Sequence, residues 1–185
     1  VVASSDGAQA WTFDLRDDGT YDARSLDGTT GEVRAERTVS AAPSFVVADE
    51  FVRLVAASFD RPAQIERWNV RTGASTFVDA SGIGTLSAAT ERYAVGQGTS
   101  CYERGRDCAL RVVELDTGEP VAVTTEGDPY VPQNSTAGDA IYVAESGRGL
   151  VRIDLSTGAR ELVPGSVGTV QWAVAATGPV VYGAS

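Results

Sequence analysis

The 185-residue chain has a formal charge of −10 and a pI near 4.4, a balance that argues against nucleic acid or an anionic membrane as partner. It contains no His, which removes Ser-His-Asp and Cys-His catalysis along with His-ligated zinc and haem. Hydrophobic residues make up 43% and charged residues 22%, enough apolar material for a buried core and too much for a disordered chain.

Taken in chain order, short alternating segments follow one another with glycine-rich punctuation. Val1-Val2-Ala3 reads as a strand, and residues 11–19 alternate from Trp11 through Asp14 to Gly19. A weaker version of the same pattern runs from Arg24 to Gly31. Strand-like runs follow at 44–47, 51–55 and 67–73, then at 85–88, 92–95 and 110–118. The last group comprises 140–144, 152–158, 159–163, 170–174 and 179–185. No long window has a helical period, so the chain reads as all-β. No run approaches the roughly 18–20 apolar residues of a membrane helix, and no basic-then-apolar leader stands at Val1. Both ends read as strands. The expectation is a piece of a longer protein, its edges completed by flanking strands or by an edge-strand partner. With Lys and Met also absent, every basic residue is Arg, a usage that fits GC-rich bacterial coding.

The two cysteines, Cys101 and Cys108, are separated by Tyr-Glu-Arg-Gly-Arg-Asp and flanked by strand-like segments. A hairpin would bring them opposite one another, so a structural disulfide is expected. It implies an oxidising compartment, hence secretion or the outer face of a cell envelope.

One phrase recurs. Residues 11–19, 67–73, 112–118 and 152–158 each alternate apolar and polar and end in Gly19, Gly73, Gly118 and Gly158, with Asp14, Asn69, Glu114 and Asp154 taken as the shared polar position. The interval is 45 residues from Gly73 to Gly118 and 40 from Gly118 to Gly158. At the start, either the first unit carries an insertion or Gly31, 42 residues before Gly73, closes the true first repeat. Three to four short strands repeated every 40–45 residues describe β-propeller blades. A four-stranded sheet has two faces to cover, and radial stacking covers both. The expected architecture is four blades and part of a fifth, at 1–40, 41–80, 81–126, 127–166 and 167–185, with the chain entering at a blade's second strand. It is either a whole array or a fragment of a larger propeller.

Leu115-Asp116-Thr117-Gly118 and Asp154-Leu155-Ser156-Thr157-Gly158 resemble the strand-turn of quinoprotein-like repeats, of the broader YVTN-type blade kind. Ser5-Asp6-Gly7, leading into Trp11-Thr12-Phe13-Asp14-Leu15, is similar to the Asp-Gly turn of TolB-related propellers. The resemblance implies the propeller fold. Quinoprotein repeats place a Trp a few residues after the Thr-Gly, where this chain has Phe77, Val123 and Leu162, and no cofactor is expected.

For chemistry, the Asp17, Asp18 and Asp22 cluster matches no complete calcium pattern and reads as a solvated turn, so no metal is expected. The better lead is the cystine hairpin, with Tyr102, Arg104 and Arg106, beside the stiff segment Asp128-Pro129-Tyr130-Val131-Pro132. Tyr and Arg carry binding energy at interfaces, and the two segments should share one face. The reading is a non-catalytic extracellular or envelope module that binds a protein or a cell-surface polymer through Tyr102, Arg104, Arg106 and Tyr130. The alternative is a propeller-class glycosidase or lyase using Asp and Glu at a central channel. Trp11, Trp68 and Trp172 fall within strands and are assigned to packing between blades.

Overall fold

The computed structural model describes residues 2–3, 9–39, 42–48, 50–69, 72–98, 101, 108–127, 129–132, 135–167, 170–175 and 178–183, the first pair and the last two stretches by backbone alone. The first sheet consists of β1 (Val2–Ala3), β2 (Gln9–Leu15), β3 (Tyr21–Asp27) and β4 (Val33–Val39). The second holds β5 (Phe45–Val47), β6 (Glu50–Val55), β7 (Gln64–Asn69) and β8 (Ser75–Asp79). The third holds β9 (Thr85–Ala89), β10 (Tyr93–Gln97), β11 (Leu110–Glu114) and β12 (Pro120–Val121). In the fourth, the first strand is split into β13 (Pro129–Tyr130) and β14 (Thr136–Ala137), both paired with β15 (Ala140–Glu145), followed by β16 (Gly149–Asp154) and β17 (Arg160–Leu162). A hairpin of β18 (Val170–Ala175) and β19 (Gly178–Gly183) follows. Every pairing is antiparallel, each strand bonding to its neighbours in the chain apart from the split first strand.

Burial follows from this order. Every residue of the second strands β10 and β15 is buried, because they sit mid-sheet with a cover on both faces. The fourth strand β4 is exposed along nearly its whole length, as an outer edge must be. The first strands meet: β1 lies against β5, and β5 against β9. First strands inward, fourth strands outward and sheets face to face make this an all-β fold of the propeller type.

The alternation of the sequence sorts side chains between successive interfaces. In β6, Phe51 joins Trp11, Ala23, Val39 and Val46 against the first sheet, whereas Val52 joins Ile65, Ile83, Ala94, Val113 and Leu115 against the third. In β10, Ala94 faces the second sheet, while Tyr93 and Val95 join Val112, Ile141, Val143 and Ile153 against the fourth. Each fully buried Ile, Leu or Val contributes about 1.5–3 kcal/mol relative to exposure, so no sheet can hold its faces dry alone. Trp11 and Trp68 pack at the first interface as expected; the side chain of Trp172 lies outside the described residues.

Two expectations about the first repeat are corrected. The turn that recurs between third and fourth strands is closed by Gly31, Gly73, Gly118 and Gly158, at φ 73°, 76°, 76° and 71°, where a side chain would be strained. In each, the Gly N–H donates to the carbonyl four residues earlier: Asp27, Asn69, Glu114 and Asp154. Gly19 instead donates to Arg16, three residues back, in a different turn between β2 and β3. Asp27, not Asp14, is therefore the first copy, and Gly31 closes the first repeat. The second correction follows from it. Val2–Ala3 pairs with β2 as a first strand, so the segment is not a second strand entering its hairpin.

Candidate functional site

Alternating strand direction gives the stack two ends. Turns joining first to second and third to fourth strands emerge at one, here the turn end. Connections joining second to third strands, and each sheet to the next, emerge at the other. Cys101 and Cys108 lie in the 98–109 connection between β10 and β11, on this second, cystine end. They form a disulfide with their Cα atoms 4.6 Å apart.

The base of that loop is built by Gly96 and Gln97. A β-bulge between Val95 and Gly96 shifts the register against β9, bringing the backbone so close that a Cβ on Gly96 would lie 2.2 Å from the Thr85 carbonyl oxygen. Only glycine fits. Gln97, 6% exposed, donates from Nε2 to the Cys108 carbonyl and to the Pro129 carbonyl, both at 2.9 Å. One amide thus joins the cystine loop of the third sheet to the first strand of the fourth. Tyr130, next to Pro129, is 60% exposed, while Val131 turns into the core. Tyr102, Arg104 and Arg106 lie outside the described residues.

Phe59 was not singled out by the sequence reading. It sits on the 56–63 connection between β6 and β7, also at the cystine end, and is fully exposed. Ser58 and Arg61 pair across the tip, and the Ser58 hydroxyl donates to Asp60 at 2.7 Å, so the loop presents Phe59 from an ordered turn. An aromatic inside Ser-Phe-Asp-Arg-Pro, a polar turn with no apolar neighbour to pack on, was the available signal.

The turn end is occupied differently. Arg67 of β7 donates to Asp116 in the next sheet's turn at 2.6 Å, and Arg92 to Asp139 of the following sheet at 3.2 Å. Asp154 accepts from the hydroxyls and N–H groups of Ser156 and Thr157, and these, the hydroxyls first, lower its carboxyl pKa. Asp27 is lowered chiefly by the N–H groups of Thr30 and Thr29, with Arg34 adding to it. At the cystine end, in and beside the 16–20 connection, Asp18 is lowered first by the Thr20 hydroxyl, and Asp22 by its hydrogen bond from Arg16. These carboxylates hold turns together, and their shifts run opposite to those a glycosidase general acid requires. Glu145, at the cystine end of β15, is buried, but Arg160 engages both its oxygens at 2.5 and 2.7 Å and the Glu126 N–H donates to it, so it too is spent on structure. Among the described residues, no group of three or more His, Cys, Asp or Glu could hold a metal ion.

An all-β, propeller-type stack with alike third-to-fourth turns at one end and uneven loops at the other is the class these features define. No protein-family model and no curated protein matches the chain. Among solved structures, it is similar to BamB from Moraxella catarrhalis at 17% identity and a TM-score of 0.43, with 86% of this chain covered. The chain spans half the length of that structure.

Proposed function

We propose that the chain is a non-catalytic propeller module of an extracytoplasmic protein, with blades at 1–40, 41–80, 81–126, 127–166 and 167–185, and that its cystine end binds a protein or surface-polymer partner. The observation that carries this reading is the Gln97 bridge, which ties the cystine loop to Pro129–Tyr130. Tyr130 and the loop residues Tyr102, Arg104 and Arg106 then act as one surface, and Phe59 emerges at the same end from the second sheet. Rigid aromatics lose little entropy on docking, and a cystine limits the loop's loss further. The disulfide supports an oxidising compartment.

The test is affinity capture from an envelope fraction, with Phe59→Ala/Tyr130→Ala set against Arg67→Met at the opposite end. Support is a partner retained by wild type and Arg67→Met but released at least tenfold more readily by the aromatic double variant. Equal capture by all three overturns the reading, as does polysaccharide cleavage by the purified chain.

A further inference from the structure

The interface between the first and second sheets differs from the next two. Its apolar layer is small, and beside it lies a cavity of about 250 Å³ lined by Val39, Pro43, Phe51, Arg53, Glu66 and Trp68, with the hydroxyls of Thr38 and Ser75. The register explains the lining: Phe51 lies opposite Trp68 and Arg53 opposite Glu66, so both pairs share the face turned to the first sheet.

The polar groups are unevenly satisfied. Glu66 is 8% exposed, and both its oxygens have donors, the Arg53 Nε at 2.5 Å and the Ser75 hydroxyl at 2.9 Å. Arg53 spends only Nε. Its two Nη groups have no hydrogen-bond partner among the described residues, although the side chain is only 29% exposed. Arg37, whose guanidinium lies 5.3 Å from the Trp68 ring, has no carboxylate partner among the described residues. The Arg37 guanidinium covers the Trp68 ring from outside this lining, so the unspent donors within it are those of Arg53.

We propose that this cavity binds a small monocyclic aromatic carboxylate. The ring packs on Phe51 and Trp68, and the carboxylate takes the end-on fork of Arg53, whose orientation Glu66 fixes through Nε. An Arg fork matches a carboxylate with two parallel hydrogen bonds, and Glu66 is already neutralised by the Arg53 Nε and the Ser75 hydroxyl. Size sets the class. A cavity of about 150 Å³ holds benzene, so the volume found admits one ring and a short acidic substituent. None of the lining residues belongs to the proposed partner surface.

The test is a titration with sodium phenylacetate, read on the Trp68 indole N–H resonance, which Trp68→Phe identifies. The expected result is a saturable shift, with phenylacetamide binding at least tenfold more weakly than the acid. Arg53→Gln should weaken phenylacetate at least tenfold and bring acid and amide together, and Arg53→Lys should not restore the difference, since it keeps the charge without the fork. Because Arg53→Gln strands a buried carboxylate, Arg53→Gln/Glu66→Gln repeats the measurement with a neutral pair and should give the same loss. The proposal fails if the shift does not saturate, if the amide binds as tightly as the acid, or if the double variant keeps wild-type affinity.

Discussion

Gln97→Leu isolates the contact that joins the cystine loop to the fourth sheet. The substitution keeps the volume near its original value and deletes both donors, at 2.9 Å each. The Pro129 carbonyl is buried and loses its donor without access to water, at a cost of about 2 kcal/mol. The Cys108 carbonyl is part-buried and rehydrates in part, adding about 1 kcal/mol. Leucine recovers up to roughly 1 kcal/mol by burying apolar surface. The net loss is about 2–3 kcal/mol, or about 4–12 °C in Tm for a chain of this size. Urea unfolding followed by Trp fluorescence measures the total, and hydrogen exchange at the amides of Leu110 and Tyr130 measures where it falls. Gln97→Glu should cost more, because a carboxylate facing two carbonyls only accepts. A loss below about 0.5 kcal/mol in Gln97→Leu, or unchanged exchange at both amides, would refute the claim that this amide holds the two segments together.

Gly96→Ala drives a Cβ to 2.2 Å from the Thr85 carbonyl oxygen and 2.6 Å from Ile83 Cγ2, so β9 must move and stability should fall by more than about 2 kcal/mol by urea unfolding. Cys101→Ser/Cys108→Ser should cost less than the roughly 2.5 kcal/mol that loop-closure entropy assigns to so short a ring, because β10 and β11 already hold its ends; thiol titration of the unfolded wild type without reductant should find no free thiol. The depressed carboxyl pKa values of Asp27 and Asp154 stabilise the fold above the ordinary Asp value of 3.8, and that contribution is lost as pH falls below it through the folded-state values. Asp154→Asn should therefore keep the turn at pH 7, as Asn69 does in its own repeat, and weaken the acid dependence of thermal unfolding, whereas Asp154→Ala should lower Tm at pH 7 as well.

The strands and their stacking could be read from the letters because alternation of period two decides which face each side chain joins, and a recurring turn marks each sheet. The misassigned first repeat shows where that reading needed finer chemistry. From Asp27 to Gly31, as from Asn69 to Gly73, Glu114 to Gly118 and Asp154 to Gly158, the polar residue precedes the glycine by four. From Asp14 to Gly19 it is five, which breaks the carbonyl-to-Gly N–H bond that closes the turn. The spacing decides between Gly19 and Gly31, which matching composition alone left open. Gln97 was hidden for another reason. An amide in a strand signals nothing until the Pro129 carbonyl, 32 residues on, is brought within hydrogen-bonding distance by the packing of two sheets. Glu66 and Arg53 likewise meet only through the register of β6 against β7.

The two ends of the stack divide the labour between support and recognition. At the turn end, loops of one design recur in the first four sheets, and Arg67–Asp116 and Arg92–Asp139 fasten the second sheet to the third and the third to the fourth. Groups committed to such ties have little left for a partner. At the cystine end, the second-to-third connections run over 16–20, 56–63, 98–109 and 146–148, no two alike in length. A packed scaffold tolerates that variation because the loops bury almost nothing of the core, and variation is what recognition needs. The 56–63 loop is also ordered by a paired tip under Phe59, and Cys101 and Cys108 of the 98–109 connection are joined by a disulfide whose second residue accepts from Gln97. Order in an exposed loop costs entropy that the fold's stability does not require. Its presence beneath an exposed Phe59 is the physical reason to look for a partner there.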